Sequence, residues 1–148
     1  MDAAGPTGMI VGQDYSEEML EAAKRLIKKN GWSNITLIAG DAAELDAGKT
    51  EFDGVLSVLG VSAVPDWEDS LQRCFDVLKT GGRLVVCDAR PFHGWRKLLN
   101  PLVRFVYAKF AAWDPTKDIP QKMREIFGNV ETASYNFGTF FIAISTKR

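Results

Sequence analysis

Two acids in this sequence stand where a carboxylate can hold polar groups of a ligand. Asp14 follows the apolar run Met9-Ile10-Val11 through Gly12 and Gln13, and Asp41 follows Ile35-Thr36-Leu37-Ile38-Ala39 through Gly40. An acid at the carboxyl end of a buried parallel strand is where open α/β sheets bind a nucleoside ribose. Turn and capping chemistry accounts for the same residues without any ligand. Asp14 taken alone does not separate the two readings. His93 is the one histidine of the chain. It follows a strand end and is a candidate base for an acceptor hydroxyl, and it also has the plain reading of an incidental loop residue. Cys74 and Cys87 form no CxxC pair. They read as buried thiols of an intracellular protein, with no disulfide and no metal site expected.

The elements that must position these residues follow from periodicity and punctuation. Residues 1–8 read as a loop, Gly5-Pro6-Thr7-Gly8 being turn residues. A strand over Met9–Gln13 leads to Ser16, a good N-cap, with Glu17 and Glu18 set against the positive end of a helix dipole. That helix runs from Glu17 to about Lys29 and ends at Asn30-Gly31, with Met19, Ala22, Ala23, Leu26 and Ile27 on its apolar face. Strands follow over Ile35–Ala39 and Gly54–Leu59, then a loop over Gly60–Pro65. Asp66 can cap a helix from Trp67 to about Leu78, whose Leu71, Cys74, Phe75 and Leu78 recur at i, i+3, i+4 and i+7. Lys79-Thr80-Gly81-Gly82 reads as a tight turn before a fourth strand, Arg83–Ala89. A short amphipathic helix near Gln121–Phe127 precedes two strands, Val130–Tyr135 and Thr139–Ser145, joined at the hairpin signal Asn136-Phe137-Gly138.

Strands and helices alternate with short connections, and the strands read as continuous apolar runs. That pattern predicts an α/β fold of Rossmann-like type, a mostly parallel sheet with helices on both faces and a C-terminal antiparallel hairpin. At 148 residues one domain, 1–148, is expected, large enough to bury roughly 70% of its unfolded surface. The net charge of -1 gives no global signal for nucleic acid. No apolar run approaches the ~20 residues of a membrane span. The N-terminus lacks the pattern of a secretory signal, so a cytoplasmic location is expected.

Residues 90–113 break the pattern. They hold Arg90, Arg96, Lys97, Arg104 and Lys109 and no acid, interleaved with aromatics that include Trp95 and Trp113. Asn100-Pro101 starts or kinks a helix there, and Asp114-Pro115 ends it. Two functional readings follow: a cover over an acceptor pocket, or an interfacial helix giving peripheral contact with anionic membrane. A packed helix whose cations reach water accounts for the composition without either.

Four stretches in order resemble the class I S-adenosylmethionine-dependent methyltransferases, in particular the small-molecule branch of the ubiquinone/menaquinone type. They are Gly12-Gln13-Asp14-Tyr15-Ser16-Glu17-Glu18-Met19-Leu20, Gly40-Asp41-Ala42, Phe52–Gly60 and Leu78-Lys79-Thr80-Gly81-Gly82-Arg83-Leu84. The last matches the family's LKPGG turn with Thr80 in place of proline, and the terminal hairpin fits the family's reversed last strand. The family's first strand and glycine-rich loop would lie before Met1. A chain lacking both, truncated at its N-terminus relative to the family, is therefore expected.

The resemblance implies S-adenosylmethionine as cofactor and a small-molecule or lipid-like acceptor. It implies that Asp14 accepts both ribose hydroxyls, that Tyr15 lies against the adenine and that Asp41 takes its exocyclic amine. The Ala42 amide would meet a ring nitrogen, and Leu59 and Gly60 would border the sulfonium. Methyl transfer from a sulfonium draws much of its rate from alignment, so no catalytic dyad is required. The competing expectation is a truncated, non-catalytic fragment that folds or forms a homodimer without efficient cofactor binding. A nicotinamide- or flavin-dependent oxidoreductase shares the ribose acid but leaves Gly40-Asp41-Ala42 and the Lys79–Arg83 turn unexplained.

Overall fold

The computed structural model describes residues 5, 7–45, 51–91, 98, 100, 101, 114 and 116–148. They fall into two compact units, Met1–Leu45 and Asp46–Arg148.

In the first unit two short strands pair in parallel, β1 (Ile10–Asp14) with β2 (Ile35–Ala39), in a register that sets Ile10 beside Ile35 and Asp14 beside Ala39. Asn34 fixes the entrance: its carbonyl accepts from the Ile10 amide at 2.9 Å and its side-chain amide donates to the Gly8 carbonyl at 2.6 Å. Between the strands runs α1 (Glu17–Asn30), capped by the Ser16 hydroxyl, which accepts from the Met19 amide at 3.3 Å. Glu17 and Glu18 in its first turn and Lys28 and Lys29 in its last complement the dipole. Gly31 closes it in the left-handed conformation, φ 66°. Of the residues expected on its apolar face, Met19 and Leu26 are exposed, while Leu20 is buried. The inward stripe of α1 is therefore Leu20, which is buried, with Ala23 and Ile27 half-buried at successive helical turns.

The second unit holds a four-stranded sheet in the order β3-β4-β6-β5. Here β3 (Phe52–Val58) pairs in parallel with β4 (Leu78–Ala89), β4 antiparallel with β6 (Phe140–Thr146), and β6 antiparallel with β5 (Glu131–Tyr135). The strands do not bury both faces equally. Burial alternates along β4 and β6, with Leu84, Val86 and Asp88 on the buried face of one and Phe141, Ala143 and Ser145 on that of the other. Against that face pack α2 (Trp67–Asp76) and α3 (Ile119–Phe127). They contribute Leu71, Cys74, Met123 and Phe127, the last edge-on to Phe75 at 5.0 Å between ring centroids. Each fully buried large aliphatic here is worth roughly 1.5–3 kcal/mol of transfer free energy.

Three local expectations are corrected. Asp66 precedes α2 but its side chain makes no capping bond; the C-terminal end of the helix is tied instead. The Lys147 ammonium lies 4.7 Å over the Phe75 ring and donates to the carbonyls of Phe75, Asp76 and Leu78 at 2.9, 3.3 and 2.7 Å. The Lys79–Gly82 segment is an irregularity inside β4: Phe52 pairs with Leu78, but Gly54 pairs with Arg83. Gly81 there has φ 83°, and a Cβ on buried Gly82 would stand 2.8 Å from the Lys79 carbonyl oxygen. Both positions require glycine. Leu59, expected as the last residue of β3, lies outside it with φ 55°. The hairpin turn is as read, with Asn136, Phe137 and Gly138 all at positive φ.

Candidate functional site

Asp14 is the last residue of β1, and its exposed carboxylate makes one bond, Oδ1 accepting the Ser16 amide at 2.8 Å. That is the turn chemistry anticipated as the plain reading, and it occupies one oxygen only. Oδ2 has no partner among the described residues. Tyr15 beside it is 85% exposed. The neighbouring strand ends in a matching turn. The Gly40 amide donates to the Asp14 carbonyl at 3.1 Å, so the two strand exits are held side by side. Asp41 Oδ1 accepts the Ala43 amide at 2.9 Å, capping a short 3-10 turn over Ala42–Glu44. The Ala42 amide donates to no described residue.

Gln13, which the sequence did not single out, couples the two turns. Its Nε2 donates to the Asp41 carbonyl at 2.7 Å, while its Oε1 is buried without a hydrogen-bond partner. A buried amide oxygen left unpaired costs roughly 1–3 kcal/mol, so this end of the sheet has an acceptor unused by the described residues. Asp14, Tyr15, Asp41 and Ala42 thus share one edge of the first unit. That edge presents two carboxylates, each with an oxygen to spare, a backbone donor and an exposed aromatic ring. Such a set suits a ligand carrying a vicinal diol and an aminated heteroaromatic ring.

In the second unit, Leu59 and Gly60 follow the carboxyl end of β3. The Leu59 amide still donates to the Cys87 carbonyl at 2.8 Å, but its left-handed backbone turns the next peptide out of the ladder. Neither the Leu59 carbonyl nor the Gly60 amide has a partner among the described residues. Holding a leucine in this region costs on the order of 1 kcal/mol. Just beyond, Ser62 and Asp88 form a pair that sequence reading passed over. Asp88 is fully buried. Its Oδ1 accepts the Ser62 hydroxyl at 2.6 Å and the Ala89 amide at 2.8 Å, and its Oδ2 accepts the Ser62 amide at 2.9 Å. The available signal was an acid closing the apolar run Leu84-Val85-Val86-Cys87, the same pattern that drew attention to Asp14.

Burial pushes the Cys74 thiol up to about 11, so that group stays protonated and inert. Cys87 is half-buried and likewise unpaired with another cysteine. Among the described residues no cluster of His, Cys, Asp or Glu could hold a metal ion, and no helix is long and apolar enough to cross a membrane. His93, Trp95 and Trp113 lie outside the described residues, as does most of the basic-aromatic segment 90–113.

Comparison with known proteins places the chain in a family. A family model for a methyltransferase domain matches residues 1–136. A demethylmenaquinone methyltransferase of Listeria welshimeri is 34% identical over 139 residues, covering 83% of this chain and 59% of that protein. One from a Geobacillus species is 29% identical, covering 99% of this chain and 72% of that protein. The chain spans about half the length of the Listeria relatives it matches. Among solved structures, a SAM-dependent methyltransferase of Thermotoga maritima superposes with a TM-score of 0.74 at 22% identity, covering 97% of this chain and 75% of that one. That likeness shows the α/β Rossmann-like fold. The chain belongs to the methyltransferase domain family, of the class I S-adenosylmethionine-dependent type.

Proposed function

We propose that the protein transfers a methyl group from S-adenosylmethionine to a small, lipid-like acceptor of the quinone type, with residues 1–148 acting as one methyltransferase-like domain. The observation that carries this reading is the paired strand exit of the first unit. There Asp14 and Asp41 are bonded to their own turns through one oxygen each.

The residues present fit the cofactor. Asp14 would receive the ribose hydroxyls on its unoccupied Oδ2, a charge-assisted arrangement that suits a carboxylate. Tyr15 offers a ring face for the adenine. Asp41 would accept the exocyclic amine and the Ala42 amide would donate to a ring nitrogen, a pairing that reads adenine by both donor and acceptor. Leu59 and Gly60 would border the sulfonium end. When bound, S-adenosylmethionine supplies an electrophilic methyl group, so what is asked of this chain is orientation and exclusion of water.

The acceptor class rests on the relatives of Listeria and Geobacillus, which are named for demethylmenaquinone. Residues 90–113 would supply the cover over that acceptor, with peripheral membrane contact as the way to reach a lipid-borne ring. A cytoplasmic location and a homodimer are compatible with this role, and nucleic acid is not among the partners proposed. His93 would be the base if the acceptor carries a hydroxyl.

Calorimetry with S-adenosylhomocysteine tests the cofactor site, and transfer of radiolabelled methyl from S-adenosylmethionine to demethylmenaquinone tests the acceptor. Binding and transfer are the expected results. Binding without transfer would discard the quinone acceptor. Absence of binding would favour a non-catalytic fragment over an enzyme.

A further inference from the structure

The buried Asp88 carboxylate faces no cation within ion-pairing distance among the described residues, so hydrogen bonds alone hold it. Both of its oxygens are engaged, and two of its three donors belong to Ser62. The other side of Ser62 is equally constrained. Its carbonyl accepts from the Lys117 ammonium at 2.9 Å and from the Asp114 amide at 3.3 Å. The same ammonium reaches the Val64 carbonyl at 2.7 Å. One short segment, Gly60–Val64, is thereby gripped from below by an anion at the end of β4 and from outside by a cation of the segment that leads into α3. Charge-assisted hydrogen bonds are about twice as strong as neutral ones, and here they are spent on a five-residue turn.

What that grip maintains is visible one residue upstream. Leu59 is held at φ 55°, a backbone state a leucine does not choose, and is 52% exposed, so packing of its side chain does not explain the geometry. Strained backbone persists only where its surroundings over-determine it. The restraints present are the Leu59 amide on Cys87, next to Asp88 in β4, and the clamp on Ser62.

We infer that Asp88 and Lys117 are positioning residues of the methyl-transfer site, which act through Ser62 to hold the Leu59–Gly60 peptide turned out of the sheet, its carbonyl and amide unpaired among the described residues. The inference rests on the proposed cofactor reading, in which that peptide borders the sulfonium end of the ligand. Neither residue touches the cofactor. Their effect is to fix in advance a backbone acceptor and donor whose ordering would otherwise have to accompany binding.

Lys117→Met is the variant of choice, because the side chain is only half-buried and its aliphatic stem is kept. Lys117→Arg is its conservative partner, and Ser62→Ala removes one bond from the anionic side. Two quantities are measured: hydrogen exchange at the Leu59 and Ser62 amides in the protein without ligand, and the affinity for S-adenosylhomocysteine by calorimetry. In Lys117→Met both amides are expected to exchange at least tenfold faster (on the order of 1.4 kcal/mol of local opening) while amides of β6 keep their protection. Affinity is expected to fall roughly tenfold, with Lys117→Arg recovering most of both. Ser62→Ala is expected to move the two quantities the same way. Unchanged exchange at Leu59 and Ser62, or unchanged affinity with faster exchange, overturns the positioning role while leaving the cofactor site standing. Absence of binding by the unaltered protein removes the cofactor site itself and the positioning role with it.

Discussion

Asp14 and Asp88 occupy equivalent places in two different units, each at the carboxyl end of a strand with a parallel neighbour. Asp14 is exposed, and one of its oxygens is committed to the turn that follows. Asp88 is fully buried, with both oxygens committed to Ser62 and Ala89. The same residue type near the same end of a strand is left with a spare oxygen in one case and is fully committed to its neighbours in the other. What separates them is the depth of the layer around each. Among its described residues the first unit has two strands and one α-helix, and Leu20 is the one hydrophobic residue buried there. The second buries a continuous cluster from Val61 to Ala143. A strand end roofed by packed helices has to satisfy an acid internally, while an open one can leave it for solvent or ligand.

The largest effect that could break this contrast is on stability. Asp88→Ala strands three donors in a dry environment and is expected to cost about 3 kcal/mol or more, read from urea unfolding. A loss below about 1 kcal/mol would mean that the buried carboxylate is not what holds the Ser62 segment.

Asp14→Ala should show the opposite profile. Stability should change by no more than about 1 kcal/mol, since only the exposed bond to the Ser16 amide goes. Affinity for S-adenosylhomocysteine should fall between tenfold and a hundredfold, about 1.5–3 kcal/mol for bonds to a charged group. Equal affinity in the variant would remove Asp14 from the cofactor site and restore the capping reading.

The smallest effect sharpens how dry the second unit is. Burial raises the Cys74 thiol from an ordinary 9.0 to about 11. A raised folded-state value means that the stability is fully present below pH 9.0 and falls as the pH rises toward 11, where the unfolded chain ionises and the folded one resists. Unfolding measured across that window should decline more steeply for the native protein than for Cys74→Ala. Identical slopes would mean that the thiol is reached by water in the folded state.

How much of this was legible beforehand differs residue by residue. The helix from Glu17 was readable because Ser16, the acidic first turn and Gly31 are local signals that carry their own physics. Its buried stripe was misjudged by one position, because Leu20 and Met19 both satisfy a helical period and only tertiary packing chooses between them. The turn acids Asp14 and Asp41 were found by their place after apolar runs. Asp88 obeys the same rule, but the resemblance gave it no role. The Lys117 contacts had no local signal: a lysine in a loop gains meaning only when Ser62, 55 positions earlier, is brought to it. The Lys79–Gly82 irregularity was read as a plain turn, since glycines announce a bend but not whether the strand resumes its earlier partner.

The Lys147 contacts have a consequence for biosynthesis. Besides its ammonium bonds to the end of α2, Lys147 exchanges backbone bonds with Gly81 and Gly82, its carbonyl accepting at 2.7 Å and its amide donating at 2.9 Å. The partner of β4 on its inner side is β6, at the far end of the chain order. Pairings in the first unit close between residues 10 and 39, so they are available as soon as that stretch clears the ribosome. The second unit must wait for Phe140–Lys147, with the buried faces of β4 and α2 uncovered meanwhile. Long-range closure of this kind is slow and exposes apolar surface. Shortening the chain by a few residues before Lys147 would then be felt as poor yield and aggregation, well before any measurement of catalysis.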